Sequence, residues 1–160
     1  MLRLSKKSDY ALIAMKHLAM RADGAASSSA REISEAYDIP LELLAKVLQR
    51  LVRARLLVSV QGTRGGYRLG RQAAAISVAD VIQAVDGPVT MTACSDTDHN
   101  CDQFTKCSIR DPLWKIKNRI LEALTTVSVA EMAVESDAPP PAAHTVSRMV
   151  FVPPIGEERS

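Results

Sequence analysis

The sequence lacks any uninterrupted apolar stretch of the roughly 18 residues that a membrane-spanning helix requires. Residues 1–20 combine basic and apolar side chains, but Lys16 and His17 interrupt the apolar part and no small-residue cleavage site follows. This pattern is typical of an amphipathic helix and not of a signal peptide. We therefore expect a soluble, cytoplasmic protein without a membrane partner.

Cysteine is also scarce. The chain has three cysteines, an odd number, and all of them lie within 14 residues. So few and so closely spaced cysteines exclude a disulfide framework. The sequence also shows no pairing of a cysteine and a histidine with an orienting third group, so an enzyme with a cysteine nucleophile is not expected.

Charge is balanced overall but unevenly distributed along the chain. The 20 basic and 18 acidic residues give +2; residues 1–75 hold 13 and 6 of them (+7), and residues 76–160 hold 7 and 12 (−5). A basic N-terminal half suits DNA, because neutralised phosphates release condensed counterions. An unevenly charged solvated surface would give the same counts, so charge alone leaves both interpretations open.

Three helices are predicted before residue 54. Apolar residues at helical spacing predict the first helix over residues 8–21, with Ala11, Ala14, Met15 and Leu18 on its buried face. Ser29 and Glu32 predict a capping box for a short second helix, which Pro40 ends. The third helix is predicted from a stripe of Leu41, Leu44, Val47, Leu48 and Leu51. Helix, turn and helix favour a DNA-reading helix-turn-helix, although an ordinary helical hairpin has the same pattern.

A β-hairpin is predicted directly after these helices. Residues 57–61 alternate as a strand, residues 62–66 form a tip that contains Arg64 between glycines, and residues 67–69 return as the partner strand. The glycine-rich tip joins two strands and does not open a helix, which argues against a phosphate-binding P-loop. The fold class is therefore mainly α: a winged helix-turn-helix with a small β-hairpin wing and a long C-terminal dimerisation helix.

The part after the wing supplies the remaining predicted elements. Ser77 and Asp80 predict a capping box for a helix over residues 78–85. Asp111 and Pro112 are predicted as the N-cap and first-turn proline of a long helix with one apolar face: Ile109, Leu113, Ile116, Ile120, Leu124 and Val127. Such a face needs a partner surface, which favours a homodimer in which Trp114 fills the interface. Ser128 and Glu131 predict a last helical turn.

Four regions follow from this pattern. Residues 1–88 are predicted to form the DNA-binding domain, residues 89–108 a cysteine loop, and residues 109–134 the dimerisation helix. Residues 135–160 are rich in proline and alanine, so a disordered tail is expected there.

The cysteine loop is the candidate metal site. Cys94, Cys101 and Cys107 are separated by six and then five residues, in a polar segment that also contains His99. Soft thiolates on a loop suit zinc or an iron–sulfur cluster, and a cluster normally takes more than three protein ligands. Buried structural cysteines that cluster by chance are the alternative, and His99 is either a further ligand or a solvated side chain.

Taken together, the residues resemble the IscR and NsrR family of iron–sulfur transcription regulators over about residues 1–134. The matching motifs are Leu4-Ser5-Lys6 with Asp9-Tyr10-Ala11-Leu12, the wing at residues 62–69, residues 76–82 with Val85-Asp86-Gly87-Pro88, and three cysteines before a long helix. The opening resembles the branch that regulates the SUF cluster-assembly system. The resemblance implies a homodimer whose affinity for an operator changes with a [2Fe-2S] or [4Fe-4S] cluster.

Two departures from the family pattern concern the ligands. Arg110 stands three residues after the last cysteine, where IscR-like members carry a histidine, and the first cysteine gap is one residue longer. In the NsrR-like branch an N-terminal aspartate of the partner subunit can ligate, and Asp9 occupies the matching position. Asp9 is therefore either the fourth ligand, as Asp9 of the partner subunit, or a residue that favours the helix dipole.

The predicted DNA contacts come from the two reading helices and the wing. They are Arg31, Glu42, Lys46, Gln49, Arg50, Arg53, Arg64 and Arg68. Solvated faces and ion pairs are the alternative role for several of them. Double-stranded operator DNA, a second copy of the chain and RNA polymerase are the expected partners, and repression is the expected mode. A metal-free thiol redox regulator is the competing hypothesis.

Overall fold

The structure is a computed structural model that describes residues 4–21, 26–62, 65–90 and 105–134. The expected tail at residues 135–160 lies outside these ranges. None of the helices in the described ranges combines the length and the apolar character that crossing a bilayer requires.

Helix α1, Lys6–Met20, lies at the centre of the fold. Ser5 caps it, since the Ser5 hydroxyl accepts a hydrogen bond from the Ser8 amide at 3.1 Å. The apolar face is the predicted one, and Ala11, Ala14, Met15 and Leu18 are fully buried. The helix begins two residues earlier than expected because the capping residue is Ser5.

Helices α2, Ala30–Tyr37, and α3, Leu41–Arg53, form the helix-turn-helix. The predicted capping box is confirmed: Ser29 accepts from the Glu32 amide at 3.1 Å, and Glu32 accepts from the Ser29 amide at 2.7 Å. Most of the α3 stripe is also confirmed, with Leu44, Val47, Leu48 and Leu51 buried. Leu41 was predicted wrongly, because it is 39% exposed in the first turn. Periodicity does not show where the neighbouring elements end.

The wing consists of β1, Leu57–Val60, and β2, Gly66–Leu69, paired antiparallel. Leu57 lies opposite Leu69 at the base of the hairpin, and both are buried. A short 3-10 helix, Ala73–Ala75, then leads into helix α4, Val78–Asp86. The predicted capping box of α4 is present, with Ser77 accepting from the Asp80 amide at 3.1 Å.

Helix α5, Arg110–Thr126, is the longest helix, and α6, Val129–Val134, follows it. The predicted N-cap of α5 is wrong: the cap is Ile109, without a side-chain hydrogen bond, and Asp111 lies inside the first turn. Pro112 is compatible with the first turn because amides there have no intrahelical acceptor. Ser128 caps α6 as predicted, accepting from the Glu131 amide at 3.2 Å.

The core joins the three N-terminal helices to α4, the wing and α6. Its largest fully buried side chains include Met15, Leu18, Ile33, Leu48 and Val129. Helix α6 packs against α1, whereas no residue of α5 is buried in the single chain. The predicted fold class is confirmed: the chain is mainly helical, with a winged helix-turn-helix and a long C-terminal helix.

Candidate DNA-binding surface and cysteine segment

One face of α3 carries most of the predicted DNA contacts. Glu42, Lys46, Gln49 and Arg53 follow one another at steps of four, three and four residues, so they share a face of the helix, and all are exposed. Lys46 and Arg53 form no ion pair with another described residue. The face therefore presents two cations, one carboxylate and one amide, the groups that contact phosphates and base edges.

Two further predicted contacts lie beside this face. Arg31 is exposed on α2, the first helix of the pair. Arg68 is exposed on β2 opposite Val58, which is itself 39% exposed. Arg64, predicted at the wing tip, lies outside the described residues. The described part of the surface thus presents exposed basic side chains from α2, α3 and the wing.

Strand β2 of the wing is fixed to the segment that precedes α2. Ser28 and Tyr67 exchange two backbone hydrogen bonds, from the Ser28 amide at 3.0 Å and from the Tyr67 amide at 2.8 Å. Gly66 allows this approach, because a Cβ atom there would lie 2.4 Å from the Ser28 carbonyl oxygen. The orientation of the wing relative to the helix-turn-helix is therefore set by backbone contacts.

His17 supports the same junction from α1. Its Nε2 lies 3.2 Å from the Ser28 hydroxyl, its Nδ1 lies 3.2 Å from the Tyr37 hydroxyl, and its ring meets Tyr37 edge-on. Burial lowers the pKa of His17, the charge of Arg21 lowers it further, and Glu32 opposes them. The neutral imidazole is therefore the form that the fold favours.

The C-terminal end of α4 is the other polar junction. The hydroxyl of Ser8, a fully buried residue, donates to the Asp86 carboxylate at 2.6 Å, and Ser5 also hydrogen-bonds it. Arg50 of α3 donates from its guanidinium to the Val85 carbonyl. Partial burial tends to raise the pKa of Asp86, but the hydrogen bonds from Ser5 and Ser8 and the charges of Lys7 and Arg50 outweigh it and lower that pKa.

The cysteine segment starts close to this junction. Gly87, Pro88 and Val89 follow α4 and, with Leu4 and residues of α5, line an apolar cavity of about 370 Å³. Cys94, Cys101 and His99 lie outside the described residues. Cys107 is described: it is half-buried, it forms no disulfide, and it precedes the Ile109 cap of α5.

Two charged residues were considered in the sequence analysis in connection with a fourth metal ligand. Arg110 forms an ion pair with Asp111 at 2.9 Å, and a guanidinium has no lone pair to offer a metal. Asp9 is half-buried in the first turn of α1. Within the described ranges no group of three or more His, Cys, Asp or Glu side chains is arranged to hold a metal ion.

Comparison with known proteins decides the family. The model of the Rrf2 family, described as iron-dependent transcriptional regulators, matches residues 4–135. The chain belongs to the Rrf2 family. The HTH-type transcriptional regulator IscR of Vibrio cholerae is 34% identical over 137 residues, which cover 85% of this chain and 78% of that protein. This Rrf2 chain is therefore a DNA-binding transcription regulator and not an enzyme.

Two solved structures share the fold of the Rrf2 chain. CymR, the global cysteine regulator of B. subtilis, superposes with a TM-score of 0.70 at 26% identity and covers 86% of this chain and 100% of its own. IscR of T. potens superposes with a TM-score of 0.67 at 27% identity and covers 88% of this chain and 93% of its own. The family assignment expected from the sequence motifs is confirmed.

Several residues of this Rrf2 structure were not recognised from the sequence. Asp86, Ser28 and Gly66 act through contacts with residues distant in the chain, so local patterns carry no signal for them. His17 was interpreted only as a helix-face residue. For Ser5 a signal existed, because serine is a preferred N-cap residue and stands just before the first predicted helix.

Proposed function

We propose that this Rrf2 regulator changes its affinity for operator DNA with an iron–sulfur cluster held by Cys94, Cys101 and Cys107. The observation that carries the proposal is the presence of three cysteines within 14 residues in a chain of a family described as iron-dependent. An iron–sulfur cluster, when bound, supplies a group whose charge and integrity depend on oxidants and on iron supply. Genes of the SUF assembly system are the proposed targets, with repression as the mode in the cytoplasm.

The donor set fits a cluster with one ligand left to assign. Three thiolates are soft ligands of the kind that iron–sulfur clusters take. Cys107 is not engaged in a disulfide. Arg110 cannot be the fourth ligand, so Asp9 of the partner subunit or His99 is proposed. The proposed cluster is of the [2Fe-2S] or the [4Fe-4S] type.

A homodimer is part of the proposal because α5 packs against α4 on one side only and leaves large apolar side chains exposed on the other. Ile109, Trp114 and Ile116 are 59%, 51% and 45% exposed. Exposed large apolar side chains along one helix mark an interaction surface. Pairing of two α5 helices is proposed to cover Ile109 and Ile116, which share a face, and Trp114 is proposed to contact the partner from another side of the helix. Asp9 of the partner subunit is proposed as a ligand because of the resemblance to the NsrR-like branch. RNA polymerase is a further proposed partner.

The DNA contacts are proposed from the α3 face and the wing. Arg64→Ala is expected to weaken operator binding and to lower the slope of log affinity against log salt by about 0.9, because one phosphate contact is lost. Fluorescence anisotropy at several salt concentrations measures this slope. Glu122→Ala, at an exposed position on α5, is the control. A slope that stays at the wild-type value would remove Arg64 from the contact set.

A metal-free thiol regulator is the second candidate function. The observation that favours it is the similarity to CymR, a cysteine regulator with which the chain superposes over that protein's full length. In this hypothesis disulfide exchange among the same three cysteines changes DNA affinity. Colourless protein whose operator binding responds to peroxide would support it.

The deciding experiment compares the wild type with Cys101→Ala after anaerobic purification. Visible absorption, iron and sulfide are measured for both, and operator binding is measured with and without the cluster. A coloured wild type with iron and sulfide, both lost in Cys101→Ala, supports the cluster. A wild type that remains colourless after chemical reconstitution would overturn it.

A further inference from the structure

The recognition helix and the root of the cysteine segment meet at one point of the fold. Arg50 of α3 donates to the carbonyl of Val85, in the last turn of α4. The next residue, Asp86, ends α4 and is bonded to Ser8 at the start of α1. Gly87 then leads towards the cysteines. Three helices and the beginning of the cysteine segment are thus joined by hydrogen bonds at the C-terminal end of α4.

We propose that Arg50 is a positioning residue, which fixes the recognition helix to the C-terminal end of α4 and so to the root of the cysteine segment, and that it is not a DNA contact. This inference rests on the proposed function in one respect: the signal that would be transmitted to α3 is the binding or loss of the cluster at the cysteines. The role of Arg50 in fixing α3 to the end of α4 does not depend on that function.

The electrostatics favour this site for the guanidinium. The last carbonyl groups of a helix lack intrahelical donors and carry the negative end of the helix dipole, which attracts a cation. The Asp86 carboxylate adds a full negative charge nearby, and its pKa is lowered in part by Arg50. The Arg50 guanidinium therefore has a hydrogen-bond acceptor and a nearby negative charge within the protein, although neither Arg50 nor Arg53 forms an ion pair with another described residue.

The Asp86 carboxylate is itself held in place. Ser8 is fully buried and its hydroxyl donates at 2.6 Å, the distance of a charge-assisted hydrogen bond to a carboxylate. A movement of residues 87–90 that carries the end of α4 with it would either shift α1 and α4 together or break this bond. Arg50 joins α3 to the same helix end. A displacement of the cysteine segment that moves this helix end would therefore change the position of the recognition helix.

The first test separates positioning from phosphate contact. Arg50→Ala is compared with Arg53→Ala, a matched change three residues along the same exposed half of α3. Arg53→Ala is expected to lower the salt slope of operator binding by about 0.9, the value for one phosphate. Arg50→Ala is expected to weaken binding severalfold without changing the slope. A slope that falls equally in both variants would make Arg50 a phosphate contact and overturn the inference.

The second test measures transmission as the ratio of operator dissociation constants without and with the cluster. Arg50→Ala and Asp86→Asn are expected to bring this ratio towards one, and Arg53→Ala to leave it at the wild-type value. Asp86→Asn keeps the size of the side chain, so it provides a second variant if Arg50→Ala folds poorly. If both variants keep the wild-type ratio, the effect of the cluster does not reach α3 through the C-terminal end of α4, and this part of the inference is wrong.

The two hypotheses fail in distinguishable ways. If the wild-type ratio is already one, cluster control is wrong, and the salt slopes of the cluster-free proteins still decide whether Arg50 positions α3 or contacts phosphate. If the wild-type ratio differs from one and the variants do not change it, cluster control stands and the proposed role of Arg50 in transmitting it is wrong.

Discussion

Arg55 occupies a backbone conformation that side chains rarely adopt. It follows α3 with a φ of 59°, and the Leu56 amide donates back to the Leu51 carbonyl at 3.0 Å, so the chain reverses sharply at the end of the helix. Glycine is the usual residue at such a position, because a Cβ atom in left-handed backbone costs about 1 kcal/mol. The end of the recognition helix therefore stores strain in a single residue.

Arg55→Gly is expected to stabilise the protein by about 0.5–1 kcal/mol, since the strain is removed and part of the gain is offset by the entropy of glycine in the unfolded chain. Urea unfolding followed by circular dichroism measures the change. The control, Gln49→Gly, places glycine at an exposed position inside α3 and should destabilise by about 1 kcal/mol. A loss of stability in Arg55→Gly would show that the arginine side chain itself holds the turn.

Helix α1 carries His17, a titratable residue whose pKa is changed by the fold. The fold lowers the pKa of His17 below its ordinary value of 6.5, chiefly by burial. In the range between the lowered and the ordinary pKa, the unfolded chain binds more protons than the folded one. Stability is therefore fully present above pH 6.5 and decreases as the pH falls through this range.

His17→Gln is expected to flatten this part of the stability profile, because glutamine does not titrate. Thermal unfolding between about pH 5 and pH 8, the range in which histidine titrates, gives the slope. Lys16→Gln changes the preceding residue of α1 and should keep the wild-type slope. Equal slopes in the wild type and His17→Gln would mean that the buried imidazole does not govern the pH response.

Elements with local signals could be predicted from the sequence. The capping boxes at Ser29 and Ser77 satisfy amides three residues away, and the apolar spacing of α1 identifies its buried face, so both appear in a short stretch of sequence. The α5 cap was predicted wrongly because Asp111 and Pro112 suit the first turn as well as its edge. Side-chain preference there does not select a single register.

The sequence predicted which residues make up the candidate site, but not the hydrogen bonds that join them to the rest of the fold. The α3 face follows from helical spacing, and the cysteines from their grouping. The bonds between Ser8 and Asp86, and between Ser28 and Tyr67, join residues that are 78 and 39 positions apart. Such pairs depend on how the elements pack, and a single sequence contains no local pattern that reports them.

At the level of the assembled protein, the exposed apolar face of α5 predicts the oligomeric state. Ile116→Glu is expected to raise the dimer dissociation constant at least about a hundredfold, because the buried apolar area is lost in both subunits and two charges replace it. Sedimentation equilibrium measures the constant. Lys115→Glu, an exposed neighbour on α5, is the control. A dimer of unchanged stability would place the interface elsewhere.

The return of the chain at α6 has a consequence for how this protein can diverge. The Val78 amide donates to the Val127 carbonyl and the Val129 amide donates to the Ile76 carbonyl, both at 2.9 Å, so the chain that follows α4 returns, at the start of α6, to the segment that begins α4. Both ends of this excursion are anchored, and doubling the length of a flexible loop adds only about 0.6 kcal/mol of closure cost. We therefore expect that the cysteine spacing can lengthen or shorten while the surface proposed to contact DNA stays intact, so that the proposed sensing chemistry can change without a change in operator recognition.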